Sequence, residues 1–251
     1  MINFKNYEFF YDPFPHCILN NFLNLDEYNA ICREFPKNSY LKVLEEKKKN
    51  DLKKFNKFNL SNANKETISN FNKFINSTIT TKKFYKYINS DNFLIELDSF
   101  LKEKFVDLKL EFKVSKNLID LFNSIFKKKR RIDFEFSSIP LNEGFILPHT
   151  DGSDKLIGFV IPVIDNDEIF KAKNLGTKIY KAVDNQYKFN YFNKTVPLEK
   201  VEEIKELPFN KNQMSLHVKT FNSLHGVGPI NNNNFFENEV YRKSISIFLL
   251  K

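Results

Sequence analysis

The sequence predicts an α+β protein: helices over about residues 1–130, followed by a β-sandwich or jelly roll over about 131–251. Two periodicities carry this. Apolar residues in the first part recur at helical spacing, whereas those in the second part alternate one by one between short polar connections. No Pro-, Gly- or Ser-rich linker separates the parts, so the expectation is one domain, 1–251, in which N-terminal helices buttress the sheet.

Asn24 followed by Glu27 has the form of a capping box. Tyr28, Ile31, Cys32 and Phe35 follow at helical spacing, and Pro36 stops the run. A second stripe carries Ile68, Phe71, Phe74, Ile75 and Ile79. A third, from Ser90, carries Phe93, Leu94, Leu97, Phe100, Leu101 and Phe105. A fourth, from about Ser115, carries Leu118, Ile119, Phe122, Ile125 and Phe126. Core packing accounts for all four stripes. At Arg131 the period changes, because Ile132, Phe134 and Phe136 alternate with Arg131, Asp133 and Glu135. The runs FILPHTD, LIGFVIPVI, LGTKIYKA, QMSLHVKTF and YRKSISIFLL read as further short strands.

A chain of 251 residues can bury one good core or two small ones, and 41% hydrophobic residues point to a globular protein. The 29 Phe, together with abundant Asn and Lys, read as the bias of an AT-rich genome and carry no functional signal. The net charge of +8 sits largely in lysine runs, Lys47-Lys48-Lys49, Lys53-Lys54 and Lys127 to Arg131. Without aromatic interleaving or a recognisable binding motif, these read as solvated faces rather than a nucleic-acid site, and an anionic substrate stays open. Cys17 and Cys32 lack metal-ligand spacing and cannot build a disulfide framework. The N-terminus MINFKNYEFFYDPF lacks a basic stretch followed by an apolar one, and no apolar run reaches the ~18 residues that a membrane helix needs. The expectation is a cytoplasmic protein with no membrane partner.

The chemistry concentrates on two of the four histidines, an aspartate and an arginine. In Leu147-Pro148-His149-Thr150-Asp151-Gly152, a strand would place His149 and Asp151 on one face, an imidazole beside a carboxylate. Two His and one carboxylate with open positions form the facial triad of non-haem Fe(II) oxygenases. The pair alone would equally suit a hydrogen-bonded surface contact. The third ligand is assigned to His225, which follows alternating apolar residues and precedes Gly226 and Gly228, where the backbone can turn sharply. His217, between Leu216 and Val218, competes for that role but reads as a satisfied sheet histidine, and His16 reads as structural. In the last run Arg242, Ser244 and Ser246 share a face. A guanidinium inside a sheet is costly without an anionic partner, and a dicarboxylate cosubstrate would provide one, with the Ser244 hydroxyl as a further donor. Apart from the metal-ligand pattern, an exposed arginine on an edge strand would suit the sequence equally.

The order His149-x-Asp151, His225-Gly-Val-x-Pro, Arg242-x-Ser244 resembles the Fe(II)- and 2-oxoglutarate-dependent dioxygenase superfamily, in particular its prolyl-hydroxylase-like branch. Pro13-Phe14-Pro15-His16, Asn21-Phe22-Leu23, Glu34-Phe35-Pro36 and the segment Gly144 to Asp151 are also similar to bacterial members. His225 and Arg242 stand seventeen positions apart, filled partly by Asn231 to Asn234, which read as a loop insertion. The resemblance implies a double-stranded β-helix, a cupin-like jelly roll, with Fe(II) on His149, Asp151 and His225. It implies 2-oxoglutarate on the iron and on Arg242 and Ser244, with O2 as the co-oxidant. Decarboxylation to succinate and CO2 would be coupled to oxidation of a small-molecule or peptidyl substrate. Related halogenases have a small residue where Asp151 stands, so a carboxylate there points to hydroxylation or another oxidation. The substrate and the oligomeric state are not read from the sequence. Three rivals stand beside this reading: a non-catalytic jelly-roll module for an anionic ligand, a cupin-like metalloenzyme without 2-oxoglutarate, and a basic nucleic-acid-binding protein.

Overall fold

A computed structural model describes residues 2–37, 40–45, 56–108, 130–141, 144–190, 192–230 and 240–251, with the backbone alone for 42–45 and 56. The alternating runs of the second part build antiparallel strands β5 (Arg131–Pro140), β6 (Ile146–His149), β7 (Lys155–Val163), β8 (Thr177–Ala182), β9 (Val201–Leu207), β10 (Gln213–Val218), β11 (His225–Val227) and β12 (Tyr241–Leu250). The first part contributes β1 (Tyr7–Phe10), β2 (His16–Asn20), β3 (Lys42–Glu45) and β4 (Asn56–Ser61), where mainly helix is expected. Among the described residues an eight-stranded sheet has the order β1-β2-β10-β7-β12-β5-β4-β3, and a four-stranded sheet the order β6-β11-β8-β9. From β5 onward the chain passes back and forth between the two sheets.

Strand parity gives the large sheet two unlike faces. Ile245, Ile247 and Leu249 stand opposite Phe136, Phe134 and Ile132 on β5. On β7 they stand opposite Ile161, Phe159 and Ile157. All nine belong to the main core, which the helices cover. Each such side chain taken from water contributes about 1.5–3 kcal/mol. The intervening residues Arg242, Ser244, Ser246, Glu135 and Ser137 face the other way and line a cavity.

The helices are α1 (Leu25–Arg33), α2 (Ile68–Ser77), α3 (Thr80–Ile88) and α4 (Asp91–Lys102). Asn24 caps α1 through Asp26 N, 2.9 Å away. Glu27 does not complete the expected capping box, because its carboxylate pairs with Lys83 at 2.8 Å. The second apolar stripe breaks at Thr78, so Ile79 is 84% exposed instead of joining the core. There Glu34 accepts from the amides of Ile79, Thr80 and Thr81 and caps α3, a helix that its lysine-rich sequence concealed. Ser90 caps α4 as its spacing predicts, but Phe105 lies beyond the helix and is 94% exposed. Cys17 and Cys32 are free and buried. The stripe from Ser115, the lysine runs at 47–49, 53–54 and 127–129, and Asn231 to Asn234 lie outside the described residues. No helix among the described residues is long and apolar enough to cross a membrane.

Candidate metal centre

Antiparallel pairing of β6 with β11 sets His149 directly opposite His225, with ring centroids 4.5 Å apart. Gly226 continues β11 at a point where a Cβ would lie 2.5 Å from the carbonyl oxygen of Ile146, so only glycine allows the two strands to close there. The sharp turn falls at Gly228, whose φ is +66°.

Asp151 reaches its partners by a different route from the one its spacing predicts. β6 ends at His149, and Asp151 follows in the left-handed region at φ +68°. A turn, rather than a shared strand face, therefore brings the carboxylate back beside the imidazole. The intervening Thr150 donates its hydroxyl to the carbonyl of Asn190 and anchors that turn. His149 Nε2 stands 3.8 Å from Asp151 Oδ1, and His225 Nε2 stands 3.4 Å from Asp151 Oδ2. One donor atom from each of the three residues lies within 4.8 Å of the other two.

The backbone sets the tautomers. His149 Nδ1 is 2.9 Å from the Leu147 carbonyl and His225 Nδ1 is 2.9 Å from the Ser223 carbonyl. An N–H on Nδ1 leaves Nε2 of each ring with a lone pair beside the carboxylate. Burial pushes the pKa of His149 down, and burial with the neighbouring His217 pushes that of His225 well down, so both rings are neutral. Burial alone would raise Asp151, but the imidazoles of His225 and His217 and the Lys155 ammonium outweigh it and hold its carboxyl well below the usual range. With the rings neutral, Lys155, 2.7 Å from Oδ1, is the full positive charge facing the carboxylate.

Arg242 lines the same cavity, of about 310 Å³, together with Ser244, Thr177 and the three centre residues. Its Nε donates to the Leu175 carbonyl at 2.5 Å, Nη1 lies 3.4 Å from Ser244 Oγ, and the Phe209 ring sits 4.5 Å beneath it. Nη2 is buried without a hydrogen-bond partner. Burial pushes its pKa down to about 10, with Glu206 opposing, so it remains a cation at neutral pH. No carboxylate ion pair satisfies it among the described residues. Lys243 points off this face to Asp165, 2.5 Å away, and Lys219 Nζ binds the Thr220 carbonyl.

The pattern missed two residues. His217 is buried in β10, as a sheet histidine would be, but its partner is the Asp151 carboxylate at 2.9 Å. Its parity, with Ser215 and opposite Leu216, marks the cavity face and was readable. Lys155 carried no such signal, being a lysine at the start of an apolar strand. His16, taken as structural, is buried on β2 with Nδ1 on the Phe14 carbonyl at 2.8 Å.

No family model matches the sequence, and no curated protein matches it. Among solved structures the chain is similar to a crystal structure of a Pseudomonas putida prolyl-4-hydroxylase (TM-score 0.46, 11% identity, covering 94% of this chain and 92% of that chain). It is also similar to an oxidoreductase of the 2OG-Fe(II) oxygenase family from Burkholderia pseudomallei (TM-score 0.47, 10% identity, covering 94% and 84%). The functional reading rests on the geometry of the site itself.

Proposed function

We propose that this chain is a non-haem Fe(II) dioxygenase that couples oxidative decarboxylation of 2-oxoglutarate to hydroxylation of a substrate. One observation carries it: a half-buried imidazole, a buried imidazole and a buried carboxylate converge to within 4.8 Å in a cavity that also holds a buried guanidinium whose Nη2 has no hydrogen-bond partner. The passage of β5 to β12 back and forth between two sheets supports a double-stranded β-helix as the scaffold.

The donor set suits the metal. Two neutral imidazoles and one carboxylate from one side form the facial ligand set of non-haem iron, and both rings are already oriented by backbone carbonyls. Iron bound by His149, Asp151 and His225 would supply O2 activation linked to decarboxylation of the 2-oxo acid. The remaining chemistry belongs to the chain. Arg242 offers its unpartnered Nη2, with Ser244 beside it, to the far carboxylate of the cosubstrate, a charge-assisted contact. Ile146, Leu147, Val160 and Val227 line the same cavity and add an apolar wall to it.

Anaerobic Fe(II) loading followed by metal analysis and succinate detection tests this reading. Wild-type protein is expected to bind one iron and form succinate slowly without substrate, and Asp151→Ala to lose both. Wild-type-like iron retention in Asp151→Ala would remove that residue from the ligand set. Iron binding with no thermal stabilisation by N-oxalylglycine would favour a metalloenzyme that does not use 2-oxoglutarate. Anion binding without iron would favour a non-catalytic module.

A further inference from the structure

The carboxylate of Asp151 is gripped on both oxygens before any metal arrives: Lys155 Nζ is 2.7 Å from Oδ1 and His217 Nε2 is 2.9 Å from Oδ2. Asp151 follows the end of β6, so no ladder hydrogen bond holds it, and its orientation depends on side chains. An ionised carboxylate only accepts, so His217 donates through Nε2–H. That proton blocks the lone pair His217 would need as a ligand, and the convergent donor group comprises His149, Asp151 and His225 without it.

His217 is itself confined by its neighbours in the sheet. It stands opposite His16 on β2 and opposite Gly158 on β7. Its ring lies across Gly158 so closely that a Cβ at 158 would come 2.4 Å from Cε1 and 2.6 Å from Nε2. Gly158 interrupts an otherwise apolar strand whose neighbours Ile157 and Phe159 pack in the core. In a strand interior a glycine lacks a packing side chain, and close approach by another group is a physical reason for its presence.

We propose that His217 is a positioning residue of the metal centre, holding the Asp151 carboxylate toward His149 and His225, and that Gly158 is the slot that admits its ring. The proposal rests on the metal-centre reading above and assigns to His217 and Gly158 a role that the ligand set alone does not. Two of the carboxylate's four lone-pair sites are used by Lys155 and His217, and the others remain for a cation between the imidazoles. Hydrogen-bond partners of this kind change metal affinity by about 10–100-fold when removed.

The test is a titration of the metal-free protein with Co(II), read by the visible absorption of the bound ion, with thermal melting as a control for folding. H217F is expected to weaken Co(II) binding by about 10–100-fold and to alter the band shape. H217Q keeps an N–H donor at similar reach and is expected to recover most of that loss, a rescue that a merely space-filling role would not produce. G158A keeps every hydrogen-bonding group, and because the clash falls on the movable end of His217, it is expected to weaken Co(II) binding while still melting cooperatively. Wild-type affinity and spectrum in both H217F and G158A would overturn the proposal. Should H217F fail to melt cooperatively, G158A decides, weaker binding supporting the proposal and unchanged binding overturning it. A wild-type protein that takes up no Co(II), or a D151A variant that binds it normally, would overturn the metal-centre reading and the proposal with it.

Discussion

Arg242 sits where a charged side chain is costly, 2% exposed on the cavity face of a central strand, with a π face below and Nη2 without a partner. The sequence already placed Arg242, Ser244 and Ser246 on one strand face, and in the proposed function an anionic cosubstrate would be the partner of this cation. Replacing Arg242 with Ala is expected to raise the 2-oxoglutarate requirement by the ~2–5 kcal/mol that a buried charged contact contributes, more than tenfold in concentration. A dependence of succinate formation on 2-oxoglutarate unchanged from wild type would move the anion site elsewhere in the cavity, with Lys57 next to be tested. His217 shows the opposite case. Its parity was legible but its partner was not, because Asp151 is distant in sequence and is brought across by a turn at positive φ.

Among the elements, the long alternating strands declared themselves and the short or highly charged elements did not. β5 and β12 each carry three apolar residues at period two, the alternation of a strand with one apolar face, although their polar residues Ser137, Arg242 and Ser244 are buried as well. α3 is lysine-rich, and its boundary with α2 depends on Glu34, a residue 45 positions or more away. Burial alone would raise the pKa of Glu34, but the amides of Thr81, Thr80 and Ile79 outweigh it and hold it below the ordinary value. Glu34→Ala, which leaves these amides without their acceptor, is expected to cost about 0.5–2 kcal/mol, the usual range for a lost helix cap, as read from the urea midpoint. Equal midpoints for variant and wild type would show that water replaces the carboxylate without cost.

For the whole molecule, the histidines that the four-stranded sheet sets facing the cavity make folding and the site one thermodynamic problem. His149 and His225 bind protons less readily folded than unfolded, where the ordinary value is 6.5. As pH falls below that value the unfolded chain takes up protons first, so the metal-free protein is expected to lose stability from about pH 6.5 downward. Asp151, depressed well below its ordinary 3.8, keeps its own contribution through this window and loses it only in stronger acid. Urea midpoints at pH 7.5 and 5.5 read the effect, and a His225→Gln variant is expected to show a shallower decline. A flat wild-type profile over that interval would mean that the imidazoles are not buried as neutral groups.

The α+β class and the candidates His149, Asp151, His225 and Arg242 were legible in the sequence, because strand parity and helical spacing are local: each reads off neighbouring positions which side chains share a face. β1 to β4 and the contacts of His217 and Lys155 with Asp151 were not. Tertiary structure decided which faces meet. The pairing of His149 with His225 across β6 and β11, the turn that swings Asp151 between them, the room that Gly158 leaves for His217, and the lack of a hydrogen-bond partner for Arg242 Nη2 among the described residues all arise from strand order and turn geometry. Those are set by hydrogen bonds between segments far apart in the chain, which no local period encodes.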